Sequence, residues 1–269
     1  MAKVVLITGI SSGFGKATAE LLSNKGYSVY GVSRNQREDL TGRIKVLQGD
    51  VTEVATLYQA VSRLVGLEGR IDILINNAGM GIAGSIEESS PEDIYLQMST
   101  NFMGCVNMIK AVLPVMRRQR GATIVNISSV GGVMGLPFQG FYSASKFALE
   151  GLSEALRMEL NSFKIRVIVI RPGDFFTGFT ANRIPVKTNS TDSVYNHQFH
   201  KTLSIIEKDE KGGLSPRFFA KNLARILQKK NPCHHYVIAT TEQKLAVVLK
   251  HLLPAPWFSA ILSSHYGIK

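Results

Sequence analysis

A tyrosine and a lysine one helical turn apart are the residues best suited to proton chemistry. Tyr142 and Lys146 precede residues that favour a helix, Phe147 to Leu160, so the two side chains would lie one above the other. A free tyrosine titrates near ~10 and exchanges protons poorly at neutral pH. A neighbouring ammonium favours the phenolate, so the pair could act as an acid or a base. The same spacing is common on solvated helix faces, so the pair gains meaning only from the rest of the chain.

Alternating strand and helix patterns would position this pair. The continuous apolar run Val4–Thr8 is typical of a strand buried on both faces. Further strands are predicted at Ser28–Ser33, Ile44–Gln48, Ile71–Ile75, Thr123–Ile127, Arg166–Ile170 and Tyr236–Ala239. Helices are predicted at Phe14–Lys25 with Gly26 as its C-cap, Ala55–Leu64, Pro91–Phe102, Val106–Arg118 and around Tyr142. The alternation predicts an α/β fold, a Rossmann-type doubly wound parallel sheet of about seven strands in a single domain over residues 1–269.

The pattern loosens between Pro172 and Pro216. Phe175, Phe176 and Phe179 lie there among glycine, asparagine, proline and serine residues. Ligands of open α/β sheets bind beyond the carboxyl ends of the strands, and this insertion follows a predicted strand directly. We therefore interpret residues 174–216 as a substrate lid whose phenylalanines form an apolar cavity wall. A disordered surface loop is the alternative.

A glycine-rich stretch, Thr8–Gly15, joins the first strand to the first helix. Its spacing is G-x3-G-x-G at Gly9, Gly13 and Gly15. Glycines allow a tight turn here and let backbone N–H groups approach a pyrophosphate at the helix N-terminus. The spacing differs from the usual G-x-G-x-x-G fingerprint and from a Walker A loop. Its place between a buried strand and a helix indicates a dinucleotide site.

The end of the second strand bears on the choice of cofactor. NAD sites usually place a carboxylate here for the ribose 2′-hydroxyl, whereas a 2′-phosphate needs a cation. This strand ends instead in Ser33 and Arg34, with Arg37 as a candidate second cation. These residues favour NADP(H), with NAD as the less favoured cofactor. The alternative is that Arg34 is an ordinary surface residue.

The composition is that of a globular protein with a strong basic balance. The 269 residues are 45% hydrophobic and 19% charged, with a formal net charge of +11. Such a balance attracts anions, but no nucleic-acid motif accompanies it, so we expect no nucleic-acid partner. Cys105 and Cys233 lie far apart and the histidines show no ligand spacing. Neither a disulfide framework nor a metal site is therefore predicted.

The two ends of the chain bear on its location. A strand is predicted at Val4–Ile7, too near the start for a signal peptide, and we expect a protein of the cytoplasm. The apolar stretch Leu245–Leu262 is interrupted by Lys250 and two prolines and should not span a bilayer. The helical tail, residues 243–269, is expected to dock over the substrate cleft or a partner subunit. Peripheral contact with a membrane surface is the less favoured alternative.

Taken together, the motifs resemble those of the short-chain dehydrogenase/reductase family. Thr8–Gly15 resembles its TGxxxGxG loop, Asn76–Gly79 its NNAG turn, and Tyr142 with Lys146 its YxxxK pair. The resemblance covers residues 3–175, and the C-terminal third resembles a subgroup related to 17β-hydroxysteroid and retinol dehydrogenases. It implies as cofactor-binding residues Thr8, Gly9, Ser11, Ser12, Gly13, Phe14, Gly15, Ser33, Arg34, Asp50, Val51, Asn77, Ala78, Gly79, Tyr142, Lys146, Pro172, Gly173, Phe175 and Thr177.

The resemblance also implies a reaction, the interconversion of a carbonyl and an alcohol by hydride transfer with NADP(H). Tyr142 would give a proton to the carbonyl oxygen, and Lys146 would hold the ribose hydroxyls and lower the pKa of the tyrosine. Ser129 would hydrogen-bond the substrate oxygen, and Asn101 would anchor a water that relays protons to Lys146. Family members commonly pair through the helices around Asn101 and Tyr142, so a homodimer or homotetramer is expected.

Apolar residues around the expected site indicate a lipophilic substrate. We expect the substrate to contact Ser129, Met134, Phe138, Tyr142, Phe176 and Phe179. Apolar clefts suit lipophilic ligands, so a ketone or alcohol on a lipid, steroid, retinoid or aromatic frame is predicted. Two other functions stay open. One is a non-catalytic NADP(H)-sensing protein, against which Tyr142 counts, and the other is epimerisation or dehydration of nucleotide sugars, whose additional domain is missing.

Overall fold

The computed structural model describes residues 2–34, 43–186 and 193–268. Its strands are β1 (Val4–Thr8), β2 (Ser28–Ser33), β3 (Ile44–Gln48), β4 (Ile73–Asn76), β5 (Ile82–Ala83), β6 (Ala122–Ile127), β7 (Ile165–Pro172), β8 (Ile184–Pro185) and β9 (His235–Ile238). Its α-helices are α1 (Gly13–Asn24), α2 (Val54–Glu68), α3 (Pro91–Met98), α4 (Gly104–Gln119), α5 (Gly140–Leu160), α6 (Gly178–Ala181), α7 (Asn196–Lys211), α8 (Pro216–Leu227), α9 (Thr241–Leu252) and α10 (Ala255–His265).

Seven of these strands form one parallel sheet in the order β3-β2-β1-β4-β6-β7-β9. The chain builds outwards from β1 in one direction and from β4 in the other. A crevice therefore opens between these two strands at their carboxyl ends, where open α/β sheets bind ligands. The predicted doubly wound parallel sheet is confirmed.

Helices cover both faces of the sheet. On one face the core joins α2, α4 and α5, for example through Leu57, Met108 and Leu149. On the other it joins α1 and α8 through Leu22 and Phe219. Alternate side chains of β1 enter the two cores. This burial on both faces explains why the strands are continuous apolar runs.

Several elements differ from the prediction. The fourth strand occupies Ile73–Asn76 rather than Ile71–Ile75, and the helices expected at Pro91–Phe102 and Val106–Arg118 are continuous through a π-helical segment, Ser99–Met103. The insertion expected to be loose contains a regular helix, α7. Two short strands, β5 and β8, pair with each other apart from the main sheet. They connect the insertion to the segment that follows β4.

The C-terminal helices α9 and α10 form part of the body of the molecule. Val247 and Phe258 pack with Val133 and Met134, which lie between β6 and α5. The tail thus closes over the carboxyl ends of the central strands, where the sequence placed the substrate cleft. Within the described ranges, no helix is both long and apolar enough to cross a bilayer.

Candidate active site

A single cavity of about 1160 Å³ brings most of the predicted site residues together. It follows the carboxyl edge of the sheet from β2 to the C-terminal tail. The predicted residues that line it are Gly9, Ser11, Ser12, Gly13, Phe14, Ser33, Arg34, Asp50, Val51, Asn77, Ala78, Gly79, Ser129, Met134, Tyr142, Lys146, Pro172, Phe175, Thr177 and Phe179.

The glycine loop has the geometry of a phosphate cradle. Gly9 and Gly13 have φ values of 69° and 55°, a region that favours glycine. A Cβ at Gly15 would lie 2.2 Å from the carbonyl oxygen of Gly9, so only glycine lets the loop fold back on α1. The side chain of Ser12 does not cap α1. The N–H groups in the first turn of the helix therefore have no side-chain partner from Ser12 where they face the cavity. These features suit the pyrophosphate of a dinucleotide.

Thr8 supports the cradle from behind. Its Oγ1 accepts hydrogen bonds from the N–H groups of Asn77 (3.0 Å) and Ala78 (2.9 Å). Asn77 Nδ2 donates in turn to the carbonyl oxygens of Thr8 and Gly9, both at 2.9 Å. We expected Thr8 and Gly15 to touch the cofactor, but both lie outside the cavity lining. They act instead by holding the loops that line it.

The far end of the cavity is lined by Ser33, Arg34, Asp50 and Val51. Asp50 Oδ1 accepts hydrogen bonds from the backbone N–H (2.9 Å) and the hydroxyl (2.8 Å) of Thr52. This carboxylate therefore stabilises the turn in which it lies. Arg34 is exposed at the end of β2 and carries a positive charge at this end of the cavity. The second candidate cation, Arg37, lies outside the described residues.

Three side chains suited to carbonyl chemistry meet at the middle of the cavity. Tyr142 lies in the first turn of α5, Lys146 one turn later, and Ser129 just after β6. Ser129 Oγ accepts a hydrogen bond from the Gly131 N–H at 3.0 Å and its hydroxyl hydrogen-bonds Tyr142. Lys146 Nζ donates to the Ile127 carbonyl oxygen at 2.9 Å and lies 5.8 Å from the Tyr142 ring centroid.

The protonation of this group differs from the expectation. Burial raises the pKa of Tyr142 to about 12, and the hydrogen bond with Ser129 lowers it only in part. Burial also lowers the pKa of Lys146 to about 8. Desolvation, which disfavours both charged forms, is the largest cause of both shifts, and the expected effect of Lys146 is not among the causes of the Tyr142 shift. With the pKa raised in this way, Tyr142 is a neutral phenol near neutral pH.

Asn101 lies behind this group, buried in the π-helical segment. Its Oδ1 accepts from the Met80 N–H at 2.8 Å, and its Nδ2 donates to the Met80 carbonyl oxygen at 2.9 Å and to Ser145 Oγ at 3.2 Å. The side-chain amide thus fixes the turn after β4. An amide oxygen accepts two hydrogen bonds, so Oδ1 keeps one acceptor site for the water expected there.

Apolar side chains line the cavity beyond Tyr142. The ring of Phe179 lies 5.7 Å from that of Tyr142, centroid to centroid. The C-terminal helices contribute the side chains of Ala246, Leu249, Phe258, Ile261 and Leu262, opposite Met134 and Leu136. Thr177 accepts a hydrogen bond from the Phe179 N–H at 3.2 Å and so begins α6 beside the glycine loop.

Besides Thr8 and Gly15, four further predicted residues lie elsewhere or do other work. Phe138 has a φ of 56° and packs on Phe199 of α7, 5.5 Å between ring centroids, outside the cavity lining. Phe176 is 64% exposed because it follows Phe175, whose ring turns inward. Phe175 lies 4.8 Å from Phe14 between ring centroids, so it reaches the cavity mainly as part of the core. Gly173 packs its backbone on the Gln243 side chain, where a Cβ would lie 2.0 Å from Oε1.

Sequence reasoning missed an acidic wall at the substrate end of the cavity, formed by Asp174, Asp209 and Glu210. Glu210 pairs with Arg183 and accepts a hydrogen bond from Thr180, and Asp209 Oδ2 lies 3.0 Å from His265 Nε2. Burial, with the neighbouring carboxylates adding, raises the pKa of Asp174 to about 6. Asp174 comes two residues after Pro172, which is the one sequence signal that could have found it.

Asp174 is also tied to the C-terminal tail through Gln243. Gln243 Oε1 accepts hydrogen bonds from the N–H groups of Asp174 (3.2 Å) and Thr240 (3.4 Å), and its Nε2 donates to Asp174 Oδ2. Thr240 Oγ1 accepts from the Gln243 N–H, which completes a capping box at the start of α9. One side chain therefore holds the loop after β7 and the first turn of α9 together.

Comparison with known proteins agrees with this geometry. Residues 3–187 match the family model described as short chain dehydrogenase. A 3-ketodihydrosphingosine reductase of Bacteroides thetaiotaomicron is 47% identical over 99% of both chains. Human 17-beta-hydroxysteroid dehydrogenase type 1 is 31% identical over 93% of this chain and 80% of its own.

Solved structures show the same fold. A short-chain dehydrogenase from Streptomyces avermitilis superposes with a TM-score of 0.83 at 28% identity, over 98% of this chain and 96% of that one. A Burkholderia phymatum enzyme in complex with NAD has a TM-score of 0.82 at 23% identity, over 93% of both chains. A Burkholderia cenocepacia enzyme in complex with NADP has a TM-score of 0.75 at 24% identity, over 97% of both chains. Neighbours of this fold thus bind either nicotinamide dinucleotide.

Proposed function

Since the chain belongs to the short-chain dehydrogenase family, whose members are oxidoreductases, we propose that it reduces the ketone of a long-chain lipid with NADPH. The observation that carries this proposal is one cavity in which a group of polar side chains adjoins an apolar wall. Ser129, Tyr142 and Lys146 line its centre, and apolar side chains of α9 and α10 line its substrate end. A ketone on a long apolar chain fits both the polar group and the apolar wall.

The similarity to a 3-ketodihydrosphingosine reductase supports this class of substrate. Its named substrate is a long-chain ketone with a hydroxyl group and, on the carbon next to the carbonyl, an amino group. We propose that the substrate of this chain is a ketone of that type. The similarity extends through the tail helices that form the apolar wall, since it spans 99% of both chains.

The residues divide the reaction between them. Bound NADPH supplies a hydride to the carbonyl carbon. Tyr142 donates its phenolic proton to the carbonyl oxygen, so that the ketone, NADPH and one proton give a secondary alcohol and NADP⁺. Ser129 hydrogen-bonds the same oxygen and stabilises the charge that develops on it. Lys146, charged below a pKa of about 8, binds the cofactor ribose and keeps a positive charge beside the phenol.

The preference for NADPH is part of the proposal. Strand β2 ends in Ser33 and Arg34, both of which line the cavity, and neither is an acid that would bind the 2′-hydroxyl of NAD. The guanidinium of Arg34 suits a 2′-phosphate because it donates hydrogen bonds in a planar fork. The strongly basic chain favours the more highly charged cofactor as well.

The test is turnover of 3-ketodihydrosphingosine, followed by the absorbance of NADPH. Tyr142→Phe removes the donated proton and should lower kcat by about 10²- to 10⁴-fold while NADPH binding, measured by fluorescence titration, is retained. Tyr95→Phe is the matched control, because Tyr95 is 76% exposed on α3. Wild-type turnover confined to sugars, or unaffected by Tyr142→Phe, would overturn the proposal. NADPH binding without turnover of any carbonyl would favour a sensor.

A further inference from the structure

The lining of the cavity changes its sign of charge along its length. The cofactor end has two cations, Arg34 and Lys146, and one carboxylate, Asp50, which is engaged by Thr52. The acidic wall of Asp174, Asp209 and Glu210 lies beyond Tyr142. His265 is the one basic side chain that lines this end within the described ranges, and it is half-exposed. The whole chain carries +11, so a negative cavity end runs against its general charge. Such a lining attracts cations and repels anions.

The protein neutralises this wall only in part. Glu210 has a full counter-ion in Arg183, whose side chain is buried, and Asp209 has the half-exposed His265. Asp174 has no cationic partner within the described part of the chain; its one side-chain contact is the neutral Gln243 amide, which donates to Oδ2. For a mostly buried carboxylate without a paired cation, one amide hydrogen bond replaces the lost hydration only in part.

Two atoms in this region have no protein partner and border the cavity. One is Asp174 Oδ1, and the other is the hydroxyl of Tyr266, at the end of α10, which burial and the three nearby carboxylates keep protonated by raising its pKa. Neither makes a hydrogen bond to any described residue. A carboxylate oxygen accepts and a hydroxyl both donates and accepts, so a ligand group with N–H donors would satisfy both.

The wall lines the same cavity as Tyr142, whose hydroxyl is to donate its proton to the carbonyl. The charges of Glu210 and Asp174 raise the pKa of that hydroxyl, and Arg183, the counter-ion of Glu210, lowers it. A positive group a bond or two from the carbonyl would therefore lie between Tyr142 and the wall. An apolar chain attached on the other side of the carbonyl would extend along Leu249, Phe258 and Leu262.

We infer that the acidic wall, with Asp174 as its main contact, binds a protonated amine on the substrate next to the ketone. This rests on the proposed function and extends it, since it says why a long-chain amino ketone is chosen over a neutral ketone of the same length. Asp174 is then a specificity residue. It favours the ammonium by a charged hydrogen bond and by its uncompensated negative charge.

The test compares two substrates that differ in that one group. They are 3-ketodihydrosphingosine and its analogue with a hydroxyl in place of the amino group, each assayed with NADPH. Wild-type kcat/KM should favour the amine by roughly 10- to 100-fold, the effect of one charged hydrogen bond. Asp174→Asn should bring the ratio of the two kcat/KM values near unity, mainly through KM of the amine. Asp209→Asn should reduce the ratio less, because Asp209 already faces His265.

Glu207→Gln is the matched control, since it removes one negative charge from α7 on the exposed Lys211 pair, outside the cavity lining. It should leave the wild-type ratio unchanged. Equal use of both substrates by the wild type would overturn the inference and leave the proposed function standing. A loss of kcat/KM by the same factor for both substrates in Asp174→Asn would also overturn it, as the mark of a structural role only. If neither ketone is reduced, the proposed function fails as well.

Discussion

At the scale of single residues, burial sets the protonation of Tyr142 and Lys146. Burial raises the pKa of Tyr142 to about 12 and lowers the pKa of Lys146 to about 8, so near neutral pH a neutral phenol faces a charged ammonium. Moving the proton to a substrate oxygen places a negative charge on the phenol beside that ammonium, which favours the transfer.

Arg34 is where the choice of cofactor can be tested by one substitution. Arg34→Ala should raise the KM for NADPH by about 10- to 100-fold, because one charged hydrogen-bonding group to a phosphate is lost. The KM for NADH should stay within about twofold, since NAD has no 2′-phosphate. Steady-state kinetics with both cofactors give the comparison. Arg63→Ala, on the exposed face of α2, is the control for the lost positive charge; an equal rise of both KM values in Arg34→Ala would exclude phosphate recognition.

At the scale of elements, burial decides what the sequence could predict. Strands β1 and β2 have the predicted bounds because both faces of the sheet are covered there and their buried runs are unbroken. The edge strand β3 also has the predicted bounds, although Lys45 and Gln48 are exposed. Helix α7 was missed because only Thr202 and Ile206 are buried along it, so no apolar stripe of helical period is visible. Phe176 was misplaced because three nearby phenylalanines suggested one wall, whereas neighbouring residues of an extended chain face opposite ways.

The candidate site shows the same division. Ser129, Tyr142 and Lys146 could be predicted because each stands in a local motif. The acidic wall could not, because Asp174 and Asp209 come from two elements whose meeting depends on how α7 and the tail pack. The direction of the Tyr142 pKa was wrong for the same reason, since burial is a property of the folded chain and spacing describes only its nearest neighbours.

The C-terminal helices can be tested as a cavity wall with a pair of adjacent residues. Phe258 is 4% exposed and lines the cavity, whereas Trp257 is 66% exposed. Phe258→Ala should raise the KM of a long-chain ketone several-fold more than that of a short-chain ketone, and lower stability by about 3–5 kcal/mol. Trp257→Ala should change neither KM. KM against chain length and urea unfolding measure both effects; an equal change for all chain lengths in Phe258→Ala would show that the tail only stabilises the fold.

At the scale of the whole molecule, charge is segregated. The chain as a whole is basic, yet its cavity ends in carboxylates, so the general charge suits the cofactor and the local charge suits the inferred substrate amine. The basic charge of the chain would then attract the anionic cofactor, and the carboxylates at the end of the cavity would separately attract a cationic lipid. The expected homodimer or homotetramer, the cytoplasmic location and the less favoured membrane contact remain predictions.

Stability against pH is a global property that reports on the same wall. Asp174 loses its proton near 3.8 in an unfolded chain and near about 6 in the fold. Between these values the folded protein keeps a proton that the unfolded chain releases, so the free energy of unfolding falls as pH rises, by up to about 3 kcal/mol. Asp174→Asn removes this loss.

The measurement is urea unfolding of both proteins at several values between about pH 4 and about pH 7. As pH rises, the free energy of unfolding of Asp174→Asn should increase relative to that of the wild type. The other titrating groups cancel in this difference because both proteins contain them. A difference that stays constant across the window would show that the Asp174 carboxyl ionises in the fold as it does in the unfolded chain.

Gln243 makes the two sides of the substrate end one mechanical unit. Its single amide group joins Asp174 to the first turn of α9, so a lipid cannot push the tail outward without also straining the hydrogen bond to the carboxylate that would receive its head. For the proposed substrate, entry of the alkyl chain and binding of the polar group would therefore be coupled. A ligand that fills the apolar part of the cavity but leaves the Asp174 carboxylate unpaired would bind and then dissociate quickly. The enzyme would thus discriminate between substrates by their dissociation rates as well as by their association rates.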